Sequence, residues 1–128
     1  MSDTTLTITM PLPVPLLTIN YRGGKHWYVV AALTSAQRRA VYYVARETLA
    51  ASGWPVEYDG PVRLDVEIRP RKNQKRLDPS AVFEALKATV DGLEDAEIVR
   101  DDKQIIPGTI TWSKERRGEL ILTLTREG

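Results

Sequence analysis

The stretch from Val62 to Leu93 constrains the fold of this chain more than any other. Val62, Leu64, Val66 and Ile68 alternate with Arg63, Asp65, Glu67 and Arg69, the period of a strand with one wet face. A basic loop follows, and then the period changes. From about Pro79 to Leu93 the residues Val82, Phe83, Leu86, Val90 and Leu93 recur at helical spacing, with Asp78 placed as N-cap and Pro79 at the first helical position. A strand and a helix that each hide only one side must cover one another, so this unit predicts a helix laid on a sheet.

The flanking segments extend the pattern. Leu6, Ile8 and Met10 alternate with threonines until the prolines at 11, 13 and 15 forbid further strand. The polar, glycine-bearing segment Ile19–Lys25 reads as a loop leading to Trp27 and Tyr28. Thr34 and Gln37 stand at capping-box spacing, predicting a helix that starts there, buries Val41, Val44, Ala45 and Leu49, and ends before Gly53. Two further strands are predicted, around Thr109 to Ser113 and from Leu120 to Thr125, joined by a charged turn at Lys114–Gly118. The order strand, helix, strand, helix, strand, strand predicts an α+β fold: a small mixed sheet of about four strands with two main helices packed on one face. At 128 residues the chain has room for one core, so residues 1–128 are read as a single domain.

Composition narrows the chemistry. No apolar run is long enough for a transmembrane helix, and Met1-Ser2-Asp3-Thr4-Thr5 lacks the regions of a signal peptide, so a cytoplasmic protein that makes no membrane contact is expected. The absence of cysteine excludes disulfides, zinc-thiolate sites and a cysteine nucleophile, and His26 is the single histidine. Any metal here is held mainly by oxygen, which favours Mg²⁺ or Mn²⁺. Net charge is only +1, but it is segregated: residues 69–76 hold five Lys or Arg and no acid, whereas residues 91–102 hold six acids and one Arg.

The candidate site residues follow from that segregation. Asp78, Lys87, Asp101 and Asp102 supply what metal-assisted cleavage of a phosphodiester needs, namely carboxylates from different elements and a cation to offset developing charge. Each also has a plain structural reading. Asp78 is a helix cap, Asp101-Asp102 a turn before a strand, and Ser80, Glu84, Lys87 and Asp91 a charged helix face on which Lys87 can pair with Glu84 or Asp91. Arg69, Arg71, Lys72, Lys75 and Arg76 are read as phosphate contacts to nucleic acid, against a solvated loop. His26, Trp27 and Tyr28 can stack on bases, but Trp and Tyr so placed are expected as half-buried packing.

The motifs also resemble a family. Asp78-Pro79, Leu86-Lys87-Ala88, Asp91-Gly92-Leu93 and Ala96-Glu97-Ile98-Val99-Arg100-Asp101-Asp102 are similar to those of the RusA-like Holliday-junction resolvases, in particular the actinobacterial phage and prophage branch. Leu16-Leu17-Thr18-Ile19-Asn20 and His26-Trp27 resemble that family's N-terminal segments. The resemblance implies a homodimer that binds four-way DNA junctions and resolves them by paired nicks with Mg²⁺ or Mn²⁺, in the cytoplasm of a bacterial host. It assigns catalysis to Asp78, Lys87 and Asp102 and metal binding to Asp78, Asp101 and Asp102. Ser80 and Ala81 stand where the family has Asp and Asn, so a RusA-fold protein that binds branched DNA or a phage or host partner without cutting is the alternative.

Overall fold

Alternating burial in three strands decides how the sheet is built. In the computed structural model, which describes residues 4–13, 23–24, 26–55 and 57–127, the elements are β1 (Thr5–Pro11), α1 (Trp27–Ala50), β2 (Val62–Arg69), α2 (Pro79–Ala85), α3 (Lys87–Asp95), a 3₁₀ turn (Asp102–Gln104), β3 (Ile105–Trp112) and β4 (Glu119–Arg126). The sheet order is β1-β4-β2-β3, with β4 antiparallel to both neighbours and β2 parallel to β3. Register aligns Leu6 with Leu124 and Leu64, and Ile8 with Leu122 and Val66, so one sheet face is a continuous apolar surface. Val41, Ala45 and Leu49 of α1, Val82 of α2, Leu86, and Leu93 of α3 join that surface in one core. The fold is therefore α+β, a four-strand mixed sheet with three helices.

Two helix boundaries differ from the sequence expectation. The first helix starts at Trp27, not Thr34, with the His26 carbonyl accepting from the Val29 and Val30 N–H groups at 3.0 and 3.2 Å. No glycine or proline lies between Trp27 and Thr34, and each added residue contributes a hydrogen bond, so the helix propagates through the capping-box residues. Gln37 is buried instead of reaching back as a cap. The second predicted helix is broken at Leu86, which has φ −98° and ψ 12° and is buried. No glycine or proline marks this bend; on either side of it Val82 and Ala85, then Ala88 and Leu93, all face the interior. The strand expected around Thr109 begins earlier, at Ile105. Residues 14–22 and 25, which hold Leu16–Asn20 and most of the predicted Ile19–Lys25 loop, lie outside the described residues.

The parallel β2–β3 pair has a consequence for the charged segments. Parallel strands start at the same end of a sheet, so the chain leaving β2 must travel back along the sheet before β3 begins. The basic loop leaves at the Arg69 end, α2 and α3 make the return, and the Asp101-Asp102 turn enters β3 at the Val62 end, where Val62 pairs with Ile105. At about 3.3 Å per residue, an eight-residue strand separates those ends by roughly 23 Å.

Candidate metal centre and basic loops

Helical spacing and one turn bring three carboxylates together. Asp91 and Glu94, one helical turn apart on α3, and Asp102, first residue of the 3₁₀ turn, each offer an oxygen within 4.8 Å of the other two. Around a hard octahedral cation with bonds of about 2.0–2.1 Å, ligand oxygens stand roughly 3–4 Å apart, so modest side-chain adjustment closes this group on one ion. The donor set is all oxygen and anionic, which fits Mg²⁺ or Mn²⁺ and not a zinc-thiolate site. Lys87 begins α3 one turn before Asp91, so the two share a helix face. A cavity of about 620 Å³ lined by Glu57, Glu94, Glu97, Val99 and Arg100 shares Glu94 with the group.

Both halves of this group are held by specific contacts. Gly92 lets α3 press against α1: a Cβ there would stand 2.7 Å from the Arg38 carbonyl oxygen and 2.7 Å from Val41 Cβ. Beside it, the Arg38 guanidinium donates to both Asp95 oxygens at 2.5 and 2.7 Å, and that contact holds the Asp95 carboxyl below the usual carboxylate range. The turn carrying Asp102 is fixed by the Gln104 amide. Its oxygen accepts from the Arg100 and Asp101 N–H groups at 2.7 and 3.0 Å, and its NH₂ donates to the Tyr58 and Gly60 carbonyls at 3.0 and 2.9 Å. Upstream, the buried Trp54 indole N–H donates to the Ile98 carbonyl at 2.9 Å and fastens the same connection to the core.

Of the residues expected at a metal site, Asp102 alone belongs to this group. Asp78 caps α2: its Oδ1 accepts from the Ala81 N–H at 2.9 Å and the Ser80 hydroxyl at 2.8 Å, and these bonds lower its pKa. Asp101 caps the 3₁₀ turn, accepting from the Lys103 N–H at 2.9 Å, which lowers its pKa too. Among the described residues neither joins the three converging oxygens. Glu94 was not singled out from sequence. Its position three residues after Asp91 was the available sign, but without the turn's location nothing distinguished it from its acidic neighbours.

The basic residues divide into two kinds. Arg69, on the wet face of β2, lies within 4.0 Å of Glu67, Glu115 and Glu119, and its pKa is raised chiefly by the Glu67 hydrogen bond. Its charge is met within the chain. Arg71 is half-buried and donates to the Leu12 carbonyl, and burial pushes its pKa down. Lys72, Lys75 and Arg76 are exposed, and the described residues give none of them an ion pair. The aromatic residues correct the packing expectation: Trp27 is 80% and Tyr28 57% exposed, with His26 stacked on Tyr28 at 5.3 Å between ring centroids. Both precede Gln37, the first buried residue of α1, so that end of the helix runs beyond the core.

No protein-family model matches this chain, and no curated protein matches it. No helix among the described residues is long and apolar enough to cross a membrane.

Proposed function

We propose that the protein is a Mg²⁺- or Mn²⁺-dependent endodeoxyribonuclease that acts as a homodimer on four-way DNA junctions, encoded by a phage or prophage and working in the cytoplasm of a bacterial host. The observation that carries this reading is the convergence of Asp91, Glu94 and Asp102 from two elements onto a volume fit for one hard cation. Those three residues would hold the ion, which would supply Lewis-acid polarisation of the scissile phosphate. Lys87, on the Asp91 face, offsets charge that develops on the phosphate and leaving oxygen. Asp78 caps the helix that leads into this face, and Asp101 caps the turn that presents Asp102. The motif resemblance supplies the junction as substrate and the dimer as the assembly that presents two sites to two strands.

The alternative, junction binding without cutting, is favoured by the region around Asp78. Ser80 replaces a family carboxylate and donates to Asp78 instead of adding an anionic ligand. One experiment separates the two. Labelled four-way junctions incubated with purified protein and Mg²⁺ or Mn²⁺ should be nicked in paired positions, and Asp102→Asn with Glu94→Gln should remove nicking while leaving binding. Junction binding with no nicking in either metal establishes the binding protein. Absence of both rejects the reading.

A further inference from the structure

We propose that the turn between β3 and β4 joins the basic loop after β2 to form a cradle for backbone phosphates of DNA, at the end of the sheet remote from the acid group. Three segments are stitched together there. The Leu12 N–H donates to the Gly118 carbonyl at 2.8 Å, and the Gly118 N–H to the Pro70 carbonyl at 3.2 Å. Arg116 then reaches across and donates to the carbonyls of Arg71, Lys72 and Gln74 at 2.8, 3.1 and 3.3 Å. Gly118 has φ +65°, a left-handed conformation that glycine adopts without strain, which turns the chain into β4.

The charge of these arginines is what points to an anion. Arg38, Arg46, Arg63, Arg69 and Arg117 each have a carboxylate within 4.0 Å. Arg71 and Arg116 are instead positioned by backbone carbonyls, with no carboxylate partner among the described residues. Carbonyl anchoring fixes a guanidinium without neutralising it, and its remaining N–H groups suit phosphate oxygens. Both line an open cavity of about 430 Å³, together with Lys72 and Arg117. Residues 69–76 and 113–118, with Glu67 and Glu119 that meet Arg69 at the same end, hold eight of the chain's eighteen Lys and Arg but three of its seventeen acids, leaving ten cations against fourteen acids elsewhere. Such a field attracts a polyanion to this end of the molecule.

The separation sets a length. The cradle sits at the Arg69 end of β2, roughly 23 Å from the Val62 end where Asp102 lies, which is about seven base pairs of duplex at 3.4 Å each. The cradle thus grips a DNA arm away from the cut. DNA as the source of the phosphate rests on the proposed function; the anion site itself does not.

The test measures binding of a fluorescein-labelled four-way junction by anisotropy across a salt series. Lys72→Gln with Arg117→Gln removes two cations that make no bond to the loop backbone; a second variant adds Arg116→Gln. The double variant should melt as the parent does and lose about one to two units of the log K against log salt slope, since Glu115 already meets part of the Arg117 charge, and the triple about one unit more. Asp102→Asn should leave the slope intact, so failure of the cradle and failure of the metal site read separately. An unchanged slope in both variants, with junction bound by the parent, overturns the cradle. Inorganic phosphate that shifts the Arg71 and Arg116 Nε–H resonances, with no DNA bound, overturns DNA as the source. No response to either anion overturns the site.

Discussion

Gly92→Ala opposes local propensity to tertiary packing, and the structure decides the sign. Within a helix, replacing glycine by alanine is favourable by about 1 kcal/mol. At Gly92 the added carbon would lie 2.7 Å from the Arg38 carbonyl oxygen, 2.7 Å from Val41 Cβ and 2.9 Å from Val41 Cγ1. Neither obstacle is the free end of a flexible chain, so the cost belongs near the upper end of the ordinary overpacking range, about 3 kcal/mol. The net destabilisation is about 2 kcal/mol, which lowers the melting temperature of a domain this size by roughly 6–10 °C. Thermal and urea unfolding followed by circular dichroism measure it. Because α3 carries Asp91 and Glu94, relaxation of the α1–α3 contact should also weaken Mn²⁺ binding measured by titration calorimetry. Val41→Ala in the Gly92→Ala background should recover part of the loss relative to additivity, since it removes the contact at Val41 Cγ1, one of the three, and gives the crossing room to adjust. A melting temperature equal to or above the parent's would refute the close helix crossing.

Two further outcomes are expected. Glu97 has φ +65° at the end of α3, where glycine is the usual residue; Glu97→Gly should stabilise the protein by about 1 kcal/mol in urea unfolding, and a loss of stability would mean that the Arg46–Glu97 contact at 3.9 Å outweighs the strain. Acid should destabilise the fold: Asp95 is held below the usual carboxylate range by Arg38, and Asp65 is held there by the Thr109 N–H and hydroxyl against the opposing effect of burial. A lowered folded-state pKa gives stability present above the ordinary carboxylate value near pH 4 and lost as pH falls through the folded value. Asp95→Asn should flatten that acid limb, and an unaltered limb would count against the Arg38 pairing.

What the sequence determined alone is what short-range periodicity controls. Alternation at Val62–Ile68 fixed which side of β2 is buried because a one-residue slip would put every aliphatic side chain in water. The stripe through Val82, Leu86 and Leu93 fixed the inner face of the second helical region, and Asp78-Pro79 fixed where it starts, by steric and hydrogen-bond rules local to a few residues. The charge runs were equally legible, but their position was not. Only the pairing of β2 with β3 as parallel strands put the basic loop and the Asp101-Asp102 turn at opposite ends of the sheet. Only the crossing of α1 and α3 at Gly92, with the four bonds of Gln104, brought Asp91 and Glu94 to Asp102 while Asp78 stayed a helix cap. The acid group depends on distances between elements far apart in the chain, which strand order and helix packing set and no local pattern encodes.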